Sequence, residues 1–428
     1  MRGRWWVLAL ISVVIAGNYY AFDSIAPVAD LLRRQRGFNQ SEIGMLNAVY
    51  GLPNIPLSLV GGVLIDRIGA ARASLLAAAF CFVGAVLTAV GQPYWVMVLG
   101  RLLFGIGEET VFISLLAGVA QWFSAGRAAL AMALFFSMAR VGSYMADISP
   151  KWAAGVYAGG WRPPLELAAV LTGVSLVAAI AYLRIDRFRP AGATSPDGGH
   201  GRFRWRDLAR FDASFWYIMG LNVLFASVFF PFRSTFAIEF FQDAKGLSLA
   251  AAGTVNSWVF FAAIFATPVF GLIADRFGRR AMLLTFGAGL MPMTFAILGL
   301  THWSLWISTV LMGLSFSVVP AVIWPSTAML VEPGRLGTAF GLINVLQSLG
   351  MGALNLAAGW LNDRAGAGPH NPGGYDPMLW MFGVFSLAGF LAVAALWRRE
   401  SGPNGHGLNA PSLGIRARKT HGGHVGGA

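Results

Sequence analysis

Long apolar runs separated by short polar stretches succeed one another from residue 5 to residue 397. A helix rises 1.5 Å per residue and crosses a hydrocarbon core in about 20 residues. Residues 281–331 contain no Asp, Glu, Lys or Arg, so they predict two crossings joined by a tight turn at Thr301-His302. The whole pattern predicts twelve helices, at 5–29, 43–65, 73–91, 95–122, 128–150, 164–183, 214–241, 250–273, 281–300, 303–331, 337–361 and 378–397. The first run follows a charged start, Met1-Arg-Gly-Arg4, but it is too long for a signal peptide's apolar region and no small-residue cleavage site follows, so it reads as a retained helix. Residues 184–213 include RPAGATSPDGGHGR, whose Gly and Pro predict a flexible loop. The expected organisation is a six-helix bundle over 1–183, a cytoplasmic linker over 184–213, a second six-helix bundle over 214–400, and a disordered tail over 401–428.

Composition supports the pattern. Of 428 residues, 56% are hydrophobic and 12% are charged, against about a quarter charged in soluble domains. The expected class is an all-α membrane protein. The single Cys81 excludes an intrachain disulfide. The net charge of +12 could suggest nucleic acid, but the basic residues sit in loops without an interleaved aromatic groove. With the N-terminus inside, 21 Lys and Arg fall on inner segments, 7 on outer ones, and Arg101, Arg140 and Arg233 within helices. That bias predicts both termini on the cytoplasmic side. Only four residues precede the first helix, leaving no sorting tail, so the expected location is a prokaryotic inner membrane. The cluster Arg33-Arg34-Gln35-Arg36 runs against the charge rule. There is no phosphate-binding loop, no metal spacing among the six His and no catalytic triad pattern. No enzyme, cofactor, metal or nucleic-acid partner is expected. The partners are the bilayer and a small-molecule substrate, with the protein a monomer.

The two halves repeat each other. GVLIDRIGAAR (62–72) matches GLIADRFGRR (271–280), and GRAALAMALFFSMARVG (126–142) matches GRLGTAFGLINVLQSLG (334–350), both at an offset near 208 residues. Parallel six-helix repeats are an architecture of transporters whose substrate site lies at the midplane between halves. The G-x-L-x-D-R-x-G-R-R loop, complete in the second copy and with Ala70-Ala71 in place of the basic pair in the first, resembles the signature of the major facilitator superfamily. GRLLFGIG (100–107) resembles its fourth-helix motif. YYAFD (19–23), VYGLPN (49–54), GRLLFGIGEE (100–109), SMARVGS (137–143), FFPF (229–232), WP (324–325) and INVLQSLG (343–350) resemble the lysosomal dipeptide transporter group of that superfamily. The resemblance implies two pseudo-symmetric six-helix bundles and secondary-active or facilitative transport of dipeptides or similar small zwitterions by alternating access.

Buried charge supplies the candidate chemistry. A carboxylate at mid-bilayer costs at least about 2.5–3.5 kcal/mol, so it faces a partner or water. Glu109 lies roughly 20 Å along its helix and Arg140 at about the same depth on the next. A zwitterionic peptide needs a carboxylate for its ammonium and a guanidinium fork for its carboxylate. Glu109 and Arg140 could supply both, and the resemblance points to the same positions; the alternative is a salt bridge that only holds two helices together. Glu108 points about 100° away and is the candidate proton site. Arg101 is expected near the outer boundary. Tyr19, Asn54, Asn256, Trp324 and Gln347 are further candidates for substrate contact, with helix packing as their alternative. Asp23 and Arg233, 210 residues apart, are a candidate gate pair between the halves, the alternative being separate solvated roles. Asp66-Arg67 and Asp275-Arg276 at inner helix ends are expected to stabilise one access state. Two other functions remain open: a proton-coupled carrier of organic anions, amino acids or drugs, and a non-transporting receptor or scaffold.

Overall fold

The structure is a computed structural model that describes residues 2–57, 67–123, 125–188, 210–301, 303–332, 335–403 and 405–409; residues 2, 3, 125–129 and 275 are described by backbone alone. Helix occurs at each of the predicted positions: α1 (Arg2–Asp23), α2 (Gln40–Gly51), α3 (Ala70–Val90), α4 (Tyr94–Trp122), α5 (Ala125–Asp147) and α6 (Arg162–Asp186). The second half holds α7 (Ala213–Asp243), α8 (Leu249–Phe277), α9 (Arg280–Leu300), α10 (Leu305–Leu330), α11 (Leu336–Ala365) and α12 (Asp376–Glu400). In the second expected helix, residues 58–66 lie outside the described residues. Among the described residues, ten stretches are long and apolar enough to cross a membrane, and there is no strand.

Where the ends differ from expectation, local chemistry explains it. The first helix stops at Asp23 because Pro27 sits in a 3-10 turn at Ala26–Val28. A separate short helix, Ala29–Arg36, then carries the basic cluster. α2 starts at Gln40, three residues earlier than expected, because Asn39 and Glu42 form a reciprocal capping box. In α7, Pro231 is followed by a π turn at Phe232–Phe236. Such turns recur at functional sites, and this one carries Arg233.

Two large hydrophobic clusters account for most of the interior. One joins α1, α3, α4, α5 and α6 through residues such as Ile11, Cys81, Phe104, Leu115 and Tyr182. The other joins α7 to α10 and α12 through Phe229, Val259, Met291, Phe316 and Phe382. The halves meet along two seams, α2 on α11 and α5 on α8. Shifting each partner by six helices converts one seam into the other, as a pseudo-two-fold axis requires. Outside, Leu76 is 56% exposed, Val177 66%, Leu272 71% and Trp380 60%. Apolar exposure on that scale belongs against lipid.

Residues 189–209 of the expected linker lie outside the described residues. The tail, expected as disordered from 401, is packed at its start. Leu408 is fully buried in the second cluster, and Leu408 and Asn409 accept backbone hydrogen bonds from Arg280 and Arg279 at 3.0 and 3.3 Å. Residues 410–428 lie outside the described residues.

Candidate functional site

The end of the bundle where α1 finishes, the far end, joins the halves by a polar network. The N-terminus of α2 leaves orphan N–H groups. Asn39 accepts from Glu42 at 2.7 Å, and Asp363 of α11 accepts from Gln40 at 2.7 Å and Ser41 at 2.8 Å. One half therefore caps a helix of the other, with the anion at the positive end of the helix dipole. Deeper in the seam, Asn47 Nδ2 donates to Ser234 O at 3.1 Å and to Thr235 Oγ1 at 2.8 Å. Thr235 in turn donates to Asn355 Oδ1 at 2.8 Å. Asn47 is itself held by Arg101, which donates to its Oδ1 at 2.6 Å and to the carbonyls of Ala21, Phe22 and Leu46. Arg101 is 2% exposed, a buried brace rather than the boundary residue expected.

The anomalous basic cluster belongs to this network. Arg33 pairs across the halves with Glu239 and, at 3.3 Å, with Asp243. Tyr375 donates to Asp243 at 2.8 Å. Arg34 pairs locally with Asp30 at 2.7 Å, and Arg36 lies over the ring of Trp161.

Asp23 and Arg233 meet at 2.5 Å, both fully buried. The same guanidinium also pairs with Asp147, at the end of α5, which the sequence reading did not single out. Phe260 lies 3.9 Å from the guanidinium carbon. Asn256, a candidate for substrate contact with helix packing as its alternative, donates to the Arg233 carbonyl at 3.2 Å and is 1% exposed. It sits behind the triad because its helix turns that face into the α5–α8 seam.

At mid-depth, Arg140 is half-buried and stacked against Tyr19, Phe260 and Phe316, at 5.8, 5.2 and 4.6 Å. Its ring partners come from both halves. Glu109 is half-buried and makes no hydrogen bond or ion pair among the described residues. The two do not form the structural salt bridge that was the alternative. Glu108 turns away to accept from Tyr50 Oη at 2.5 Å and is 4% exposed. Tyr19 lies within Coulombic reach of Glu108, Glu109, Arg140 and Asp23. These groups occupy one region, with the far-end network above it.

The remaining candidates are dispersed. Asn54 Oδ1 is buried without a partner among the described residues. Trp324 packs on Phe340 at 5.4 Å, and Gln347 accepts from Asn222 at 2.8 Å, both within the second half. Arg67 and Arg276 are exposed at the near end, Arg276 over Phe277. Asp66 lies outside the described residues, and Asp275 is described by backbone alone.

The model of the Major Facilitator Superfamily matches residues 8–255 and 232–420. The lysosomal dipeptide transporter MFSD1 of Bos taurus is 29% identical over 374 residues, covering 84% of this chain and 80% of its own. The probable sulfoacetate transporter SauU of Cupriavidus necator is 22% identical over 438 residues, covering 93% and 94%. In fold, the chain is similar to the crystal structure of a bacterial homolog to the human lysosomal transporter Spinster, inward-facing and unoccupied, with a TM-score of 0.69 at 16% identity over 92% of this chain and 96% of that one. Repeated bundles, two symmetric seams and a family model spanning nearly the whole chain lead to one conclusion: the protein belongs to the major facilitator superfamily and is a multi-pass membrane transporter, not an enzyme.

Proposed function

We propose that the protein carries dipeptides, or zwitterions of similar size, by alternating access, as a monomer. The observation that carries the reading is the unpaired state of Glu109 and Arg140. Two opposite charges at one depth, each half-buried and neither paired with the other, are costly unless something else completes them. A dipeptide's ammonium and carboxylate would do so while leaving the side chains unread. Kinship with a dipeptide transporter supports the same substrate class. Asp23 and Arg233 would gate the far end, and the near-end pairs Asp66-Arg67 and Asp275-Arg276 the other. With 21 basic residues on the N-terminal side against 7 opposite, the termini would be cytoplasmic in a prokaryotic inner membrane. The far end is then the outer one, and this conformation is closed outward.

A second reading is favoured by the likeness to a sulfoacetate transporter. An organic dianion would engage Arg140 and leave Glu109 without a role. Blocking the termini separates the two. In thermal-shift and proteoliposome counterflow assays, a free dipeptide should bind, while its N-acetylated and C-amidated forms should each lose about 1.5–3 kcal/mol, the scale of a hydrogen bond to a charged group. Arg140→Lys should recover little, since the fork is lost. Blocked peptides that bind as well as free ones would overturn the clamp.

A further inference from the structure

The α5–α8 seam runs from the far end down to the clamp. Asp147, Tyr144 and Arg140 are spaced three and four residues apart, which puts them on one face of α5. Each meets α8. A Cβ on Gly253 would collide with the Asp147 carbonyl oxygen, Tyr144 lies 5.8 Å from Phe261, and Arg140 lies 5.2 Å from Phe260. Arg140 is the innermost of these three contacts, and α10 adds Phe316 to it at 4.6 Å. Both distances are within the reach of a cation–ring attraction.

Rings are what hold this guanidinium. Arg140 makes no hydrogen bond or ion pair among the described residues, so its N–H donors stay available. A guanidinium meets rings through its faces and a carboxylate through its edge, so the two contacts are compatible. Both second-half rings are themselves fixed. Phe316 stacks on Phe229 at 4.2 Å. Phe260 is 1% exposed and also lies 3.9 Å from the guanidinium carbon of Arg233, which Asp23 and Asp147 of the first half hold. The third ring, Tyr19, is the most distant at 5.8 Å and belongs to the same half as Arg140.

We infer that Phe260 and Phe316 are positioning residues for the substrate carboxylate: they hold the Arg140 fork in place only while the far end is closed, so engaging a carboxylate draws the far end shut. This rests on the clamp proposed for Glu109 and Arg140. When the α5–α8 seam parts, both rings leave with the second half and Arg140 keeps only Tyr19. A long side chain that is free to rotate gives up that freedom on binding, whereas one already held gives up less. The fork therefore binds a carboxylate more tightly in the far-closed state. By reciprocity, the carboxylate favours closure by the same factor. The ammonium end has no such link, because Glu109 makes no hydrogen bond or ion pair among the described residues.

The test compares a free dipeptide with its C-amidated form on the full-length protein in nanodiscs. Affinity is measured by titration, and closure by pulsed dipolar distances between spin labels at Lys151→Cys and His370→Cys, both exposed at the far end of opposite halves. Cys81 is buried and stays in place. In the wild type the free peptide should shift the distances towards closure more than the amidated one. Phe316→Leu and Phe260→Leu should weaken the free peptide by roughly 2- to 30-fold, the range of a cation–ring contact, and leave the amidated one unchanged. The extra closure drawn by the carboxylate should shrink by the same factor. Phe316→Met, whose flexible chain fills the space without a ring, should behave as Phe316→Leu, and Phe316→Tyr should restore the wild-type difference; melting temperatures report on folding. Ring-less variants that weaken both peptides equally, or that keep the wild-type difference, overturn the positioning role. A wild type that binds the two peptides equally instead removes the clamp on which that role rests.

Discussion

The α2–α11 seam closes backbone to backbone, and one methyl group should open it. A Cβ built on Gly44 stands 2.5 Å from the Asn355 carbonyl oxygen, and one on Gly359 stands 2.5 Å from the Gln40 oxygen and 2.8 Å from Ser41 Cα. Non-bonded heavy atoms settle at about 3.5 Å, so Gly44→Ala or Gly359→Ala must push the helices about 1 Å apart. Neither neighbour can swing aside, because both are main chain. The same displacement stretches the 2.7 Å bond from Gln40 to Asp363 and the 3.1 Å bond from Asn47 to Ser234. Overpacking typically costs about 1–3 kcal/mol. Here the whole cost falls on the far-closed state, since the seam is apart when the far end is open. A coupling of that size shifts a two-state ratio by about 5- to 150-fold. Spin labels at Lys151→Cys and His370→Cys, both exposed at the far end of opposite halves, read the shift directly. Gly220→Ala, with nothing within 4 Å of its Cβ, should change nothing. If Gly44→Ala and Gly359→Ala lower the melting temperature yet leave the distance distribution at wild type, the seam is a static interface and the gating reasoning fails.

Other outcomes follow from the same geometry. Arg33→Ala leaves Glu239, 1% exposed, without its cation, and should weaken far-end closure by about 2 kcal/mol, seen as a longer mean distance between the same labels. Tyr50→Phe removes the hydroxyl that donates to Glu108 and should cost about 1–3 kcal/mol in thermal stability, with dipeptide affinity nearly unchanged if Glu109 is the substrate carboxylate. Asp363→Asn keeps one acceptor but loses the charge that caps α2; closure should weaken by about 0.3–1 kcal/mol, the scale of a helix-dipole contact, and the loss should shrink in high salt.

The helices were legible because apolar length is dictated by the bilayer, and the superfamily because the loop motif recurs at a fixed offset. Depth was read from residues per helix, which set Glu109 and Arg140 at one expected level; the repeat offset suggested Asp23 with Arg233, and the two side chains meet. Azimuth was harder. Depth alone left Asn256 open between substrate contact and helix packing; its rotation about α8 sets it against the Arg233 carbonyl. Asp147 gave no signal, because an acid at a helix end reads as a solvated boundary. Arg33 and Glu239 are 206 residues apart, a separation no local pattern spans. The available clue was a violation: three arginines that break the charge rule, one of which, Arg33, is answered by acids of the other half.

The composition of the far-end seam also carries a thermodynamic constraint. Each half has its own main hydrophobic cluster, crossed by only a few residues such as Ala26, Tyr144, Phe230 and Leu249, while between the halves lie Gln40, Ser41, Asn47, Thr235, Asn355 and Asp363. Under the proposed alternating access, a seam that parts into water in each cycle cannot bury much apolar surface, because each Å² exposed costs about 25 cal/mol. Hydrogen bonds that exchange for water cost only about 0.5–1.5 kcal/mol each. Glycine at the crossing points lets the main chains approach closely enough to use such bonds and adds no apolar side chain to be wetted. The seam is therefore specific in register yet shallow in energy, as reversible opening requires.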